Sequence, residues 1–103
     1  MPRFLLIAIN NPTPGDDDVY NAWYNSKHKA DLMSVDGAMS VRRFKVAKRN
    51  RIDKDYVSIT EIEGESADEV MRLLSEKSSD FEGSHLDRTT SIFMLAEEMD
   101  TGA

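Results

Sequence analysis

Tyr20-Asn21-Ala22-Trp23-Tyr24-Asn25-Ser26-Lys27-His28-Lys29-Ala30-Asp31-Leu32 is the stretch on which the reading of this 103-residue chain turns. Wound as a helix, it brings Tyr20, Tyr24, His28, Asp31 and Val35 onto one face, at steps of four, four, three and four. Asn21, Asn25, Ser26 and Lys29 fall on the solvent side. The stripe meant for the core therefore carries a histidine and a carboxylate among its aromatic rings, a pattern that suggests a pocket wall.

The flanking sequence sets this helix in a framework. Phe4 to Ile9 is almost wholly apolar, as in a strand covered on both faces, and Asn11-Pro12-Thr13-Pro14-Gly15 breaks it. Asp16, Asp17 and Asp18 can cap a helix and complement its positive end, which places the first helix from about Asp17 to Met33. Gly37 ends the connection. Met39 to Lys48 and Tyr56 to Glu63 read as a hairpin with its turn around Asn50 and Asp53. Ser66 and Glu69 have capping-box spacing, and Val70, Met71, Leu73 and Leu74 form the apolar side of a second helix ending near Ser78. Thr89 to Leu95 reads as a fourth strand. The order β-α-β-β-α-β is the ferredoxin-like α+β arrangement, a four-stranded antiparallel sheet with two helices on one face. Its opposite sheet face would be apolar and bare in a monomer, so a homodimer with the two sheets face to face is expected.

Residues 1–97 are expected to form a single domain, with a polar tail over residues 98–103. Net charge is −6 and the isoelectric point about 4.8, which argues against a nucleic-acid partner. Seven basic residues gather between Arg42 and Lys54, as an anion site or as a solvated hairpin end. The chain has no cysteine, which removes thiolate chemistry and disulfides and fits a cytoplasmic location. The Phe4 to Ile9 run is too short to span a bilayer and lacks the features of a secretory signal, so no membrane partner is expected.

The combination Trp23-Tyr24, His28, Asp31-Leu32, Val35, Gly37 and Arg42-Arg43-Phe44 resembles the dimeric α+β barrel superfamily, especially its EthD-like branch of small proteins. Members of that branch often carry a proline two residues after the histidine, where this chain has Ala30. The resemblance implies the dimeric barrel. It does not choose among the superfamily's cofactor-independent isomerases, polyketide cyclases, monooxygenases and haem-degrading proteins.

His28 is the acid/base candidate, because an imidazole titrates close to neutrality. Asp31 could orient it or stabilise its charged form, and Tyr24 could donate a hydrogen bond to developing oxyanion charge; a structural histidine and a salt-bridged Asp31 are the plain alternatives. Tyr20 and Trp23 could border a flat substrate or simply pack on the sheet. Arg42 and Arg43 alternate across their strand, so one faces the helices and could hold a substrate carboxylate, unless both serve surface or interface salt bridges. His85 could approach from the rim or lie in an exposed loop.

No metal-ligand spacing, phosphate loop, dinucleotide fingerprint or nucleophile elbow is present, so no cofactor and no metal are expected. The reading is a cofactor-independent isomerase, cyclase or lyase. It would act by general acid/base chemistry on a small unsaturated or carbonyl-containing carboxylated metabolite, in aromatic-compound catabolism or polyketide tailoring. The alternatives are a cofactor-free monooxygenase or haem-degrading protein, and a noncatalytic dimeric ligand-binding module.

Overall fold

Alternation along the first strand decides which sheet face meets the helices. In a computed structural model describing residues 1–77, 86–87 and 89–99, β1 (Arg3–Asn10) buries Phe4 and Asn10 and half-buries Leu6 and Ala8 between them. These positions form the inner face, while Leu5, Ile7 and Ile9 point to the other side. The chain then runs through α1 (Asp17–Trp23), a π-helical turn (Tyr24–His28) and α2 (Lys29–Met33), followed by β2 (Ala38–Lys45), β3 (Tyr56–Glu63), α3 (Ala67–Lys77) and β4 (Ile92–Glu97).

The sheet order is β2-β3-β1-β4, with every neighbouring pair antiparallel. The topology follows from the connections. A helical crossover returns β2 parallel to β1 with one slot left between them, and the β2–β3 hairpin fills that slot. The second crossover repeats this around β1. The expected four-stranded antiparallel ferredoxin-like sheet with its helices is thus the observed fold. The core lies between helices and inner face, where Phe4, Val41 and Ile62 pack against Tyr20, Leu32, Val70 and Leu74.

Several boundaries differ from the sequence reading for visible reasons. β4 starts at Ile92 instead of Thr89, because the Asp87 carboxylate accepts hydrogen bonds from both the Thr89 backbone N–H (3.0 Å) and hydroxyl (2.6 Å). That side-chain turn holds Thr89 and Thr90 out of the ladder. β2 ends at Lys45 instead of Lys48, where the Val46 N–H bonds the Asp55 carbonyl at 2.8 Å and the loop opens. Asn11 ties that loop down, donating to the Asp53 carbonyl (3.0 Å) and accepting from the Asp55 N–H (2.8 Å). Asp16 stands at the N-cap of α1 without a side-chain capping bond. Ser66 caps α3 as expected, its hydroxyl accepting from the Glu69 N–H at 3.1 Å, whereas the Glu69 carboxylate turns to Arg72.

Gly37 is the tightest point of the framework. Its φ is +88°, and a Cβ there would lie 2.1 Å from the Glu63 carbonyl oxygen. Gly15 has nearly the same φ, +84°, with open space around it. Gly37→Ala should therefore lower unfolding stability by roughly 2–4 kcal/mol, and Gly15→Ala by only about 1 kcal/mol, since backbone strain is common to both. Urea titration of the two variants measures the difference. Equal losses would show that the approach to β3 is not what demands glycine at position 37.

The open sheet face carries Leu5, Ile7 and Ile9 from β1, Phe44 from β2, Val57 and Ile59 from β3, and Ile92 and Met94 from β4. Phe44, Ile92 and Met94 are each at least 40% exposed. Among the described residues, no helix is long and apolar enough to cross a membrane.

Candidate functional site

In an α-helix successive residues turn by about 100°, so two residues five apart sit about 140° from one another. The π turn removes that offset. The Lys29 N–H bonds the Tyr24 carbonyl, an i to i+5 bond, and the Ser26 hydroxyl donates to the Ala22 carbonyl at 2.7 Å, where the ladder shifts. Trp23 and His28, five residues apart, are brought into register by this turn. Their rings stack with centroids 4.5 Å apart and planes 16° from parallel. Tyr24 meets the imidazole edge-on at 4.8 Å and 90°. The side chain of His28 is thus held between two aromatic rings.

Those three rings form one wall of a cavity of about 330 Å3, within the range of small-molecule sites. Tyr20 and Leu32 extend the wall. Inner-face residues Leu6, Ala8 and Asn10 make the floor, and Met71 and Leu74 of α3 close another side. Ser91 and Phe93 border it from the β4 side. The buried indole Nε1 of Trp23 has no hydrogen-bond partner among the described residues, so it can donate to a bound acceptor.

Burial sets the electrostatics. Desolvation pushes the His28 pKa down from 6.5 to about 4; the Asp31 charge opposes this, and Lys27 and Arg43 reinforce it. His28 is therefore a neutral imidazole at neutral pH, not the group poised near neutrality that its residue type suggested. A depressed histidine pKa leaves the unfolded chain binding more protons between pH 6.5 and about 4. Its contribution to stability is complete above pH 6.5 and is lost as pH falls through that window, on the order of 1–3 kcal/mol. The chain has only two histidines, so imidazole NMR resonances can be assigned and titrated. The His28 midpoint is expected near 4; a midpoint at an ordinary histidine value would show that water reaches the ring freely.

Burial also raises the Tyr24 pKa to about 12, against a hydrogen bond from Ser58 that lowers it. Tyr24 lines the cavity. Asp31 is not on the cavity wall; its carboxylate accepts from Lys27 Nζ at 2.7 Å, and its effect on His28 is through charge. Leu32 and Val35 take the buried positions after His28, because the extra residue in the π turn rotates Asp31 out of the stripe.

The two arginines separate as alternation requires. Arg42 lies on the open face, with its guanidinium 5.2 Å from the Phe44 ring centroid. Arg43 faces the helices, and its guanidinium sits 4.3 Å over the Tyr24 ring while donating to Asn21 (2.8 Å) and Asn25 (2.9 Å). Neither lines the cavity, and among the described residues no lysine or arginine does. The carboxylate clamp expected of this pair is thus not on the wall. His85 lies outside the described residues. Among the described residues, no group of three or more His, Asp or Glu side chains converges on a point that could hold a metal.

Sequence reasoning passed over Asn10 and gave Ser91 no role. Period-two alternation from Phe4 places Asn10 on the inner face and could have found it. The stacking of Trp23 on His28 has no signal in an ordinary helical wheel, since it depends on the π turn.

No protein-family model matches the chain, and no curated protein matches it. Among the solved structures that match it are two that share its fold over nearly the whole length. One is an ethyl tert-butyl ether D (EthD) family protein from Bacillus halodurans, 11% identical, with a TM-score of 0.66 over 96% of this chain and 100% of that one. The other is a DABB family protein with a ferredoxin-like fold from Mesorhizobium loti, 10% identical, with a TM-score of 0.59 over 97% of this chain and 98% of that one. At these identities the likeness is one of fold, and the fold is the ferredoxin-like one that the sequence resemblance led us to expect.

Proposed function

We propose that the chain is a cofactor-independent enzyme using His28 for general acid/base chemistry on a small unsaturated or carbonyl-containing metabolite, by isomerisation, cyclisation or dehydration. The observation that carries this reading is an imidazole held between Trp23 and Tyr24 on the wall of a cavity otherwise lined mainly by apolar and aromatic groups. Neutral imidazole is the form that can accept a proton from substrate, and the dry surroundings strengthen its interaction with charge developing there. Asp31, outside the cavity lining, would favour through its charge the imidazolium that forms.

The wall composition refines the substrate. Without a lysine or arginine among the described lining residues, a carboxylate would enter uncompensated, so the reading shifts to an uncharged reacting portion. Trp23 and Phe93 suit a flat ring or conjugated chain. Tyr24, edge-on to the ring of His28, serves to hold the imidazole.

Two copies of the chain would pair through the open sheet faces. That pairing covers the exposed Phe44, Ile92 and Met94 and needs only one self-complementary surface.

The test is a complex with a small ring ketone, read by diffraction or by chemical-shift changes at His28. Contact with the imidazole supports the reading. Saturable binding elsewhere, leaving His28 unperturbed, would count against it.

A further inference from the structure

The inner-face positions of β1 run Phe4, Leu6, Ala8 and then Asn10, so an apolar floor ends on a primary amide. Asn10 is only 5% exposed and lines the cavity. Its Oδ1 accepts a hydrogen bond from the Ser91 hydroxyl at 2.6 Å. An amide has one oxygen and two N–H donors, so a donor on its oxygen fixes which edge faces which way. The N–H edge is left for other partners, and Tyr20 lines the same cavity. Arg43 lies outside the cavity lining, with its guanidinium 5.5 Å from the Tyr20 ring centroid. The Tyr20 hydroxyl carries a second O–H donor among the lining residues.

We propose that Asn10, oriented by Ser91, and Tyr20 together form a donor corner that reads a carbonyl oxygen, so that the cavity takes an uncharged ring ketone or enone. The carbonyl lies at Asn10 and Tyr20, and the ring lies along Leu6, Ala8, Trp23 and Phe93. This rests on reading the cavity as a ligand site, and it does not depend on proton transfer by His28. A donor corner selects by penalty as well as attraction: a hydrocarbon of the same shape leaves the buried N–H and O–H groups without an acceptor.

The experiment compares 1-tetralone with tetralin, which share a ring frame and differ in the carbonyl. Binding is followed at the indole N–H resonance of Trp23, the chain's single tryptophan. The wild-type protein should prefer the ketone by about tenfold or more. Asn10→Leu should bring the ratio to about one while tetralin still binds, and Ser91→Ala should reduce it by roughly two- to threefold through a loosened amide. Should Asn10→Leu fail to fold, the nearly isosteric Asn10→Asp makes the same comparison, since it replaces the donor edge with an acceptor and should abolish the preference. A full ketone preference in His28→Ala supports the corner independently of catalysis. A wild-type ratio near one, or an undiminished preference in a folded Asn10 variant, overturns the proposal. Failure of both compounds to bind overturns it together with the reading of the cavity.

Discussion

His28→Ala is expected to leave the protein folded and able to bind its substrate while turnover falls by about 10²–10⁴-fold, the usual contribution of a general acid/base. Two features make the comparison informative. The imidazole is packed on the Trp23 face at 4.5 Å, so its removal also opens space beside the indole. His28→Phe restores a ring to stack there without a nitrogen that can move a proton. If catalysis is the role, both variants lose turnover alike; if packing is the role, the phenylalanine variant recovers it. Asp31→Asn should have a smaller effect, because Asp31 acts on His28 only through charge and already accepts from Lys27 at 2.7 Å. The pH profile supplies a second mark. The acid limb of kcat/KM should reflect the free protein's His28, near 4, well below an ordinary histidine limb. Wild-type turnover at saturating substrate in folded His28→Ala would remove His28 from the chemistry and favour the noncatalytic binding module.

Much of this arrangement was open to pattern reading, and the exceptions have identifiable physical causes. Tyr56 to Glu63 reads as a strand with the bounds it adopts, because Tyr56, Val57, Ile59, Thr60 and Ile62 are β-favouring residues that follow a charged, turn-prone stretch. The aromatic face of the first helix was likewise legible in the spacing of Tyr20, Tyr24 and His28. What spacing could not supply was the π turn, since residue type at Tyr24 to His28 does not announce an i to i+5 bond. One added residue in that turn moves Asp31 outward and Leu32 inward, and it brings Trp23 over His28. The low basicity of His28 has a related cause. An adjacent carboxylate favours the charged ring, but the depth of burial that outweighs it depends on packing between distant elements. Arg43 followed alternation to the helix side, yet alternation gives no information on depth. The guanidinium stops behind Tyr24 instead of reaching the cavity. Asn10 was legible in principle, as a polar residue on the inner face of an otherwise apolar strand.

Ile59→Glu is expected to convert a dimer into a folded monomer. Ile59 sits on β3, paired with Ile7 on one side and Arg42 on the other, within the open apolar face. In an isolated protomer a glutamate there remains in water, beside an arginine of opposite charge on the neighbouring strand, so the fold should tolerate it. Between two facing sheets the same substitution would bury two carboxylates, one from each copy. Desolvating such charges costs several kcal/mol, and truncations or mispairings of buried charges weaken association by about 2–5 kcal/mol, roughly 30- to several-thousand-fold in Kd. Light scattering on the wild-type protein should give about twice the chain mass of 11.7 kDa across the micromolar range, and the variant about one chain mass. Far-ultraviolet circular dichroism would confirm that the variant keeps its fold. The cavity provides an internal control, because its wall lies on the opposite side of the sheet from Ile59: 1-tetralone should still shift the Trp23 indole resonance in a variant that has lost only its partner. A soluble, folded wild-type monomer throughout that concentration range would sink the face-to-face assignment. The exposed Phe44, Ile92 and Met94 would then need a different covering.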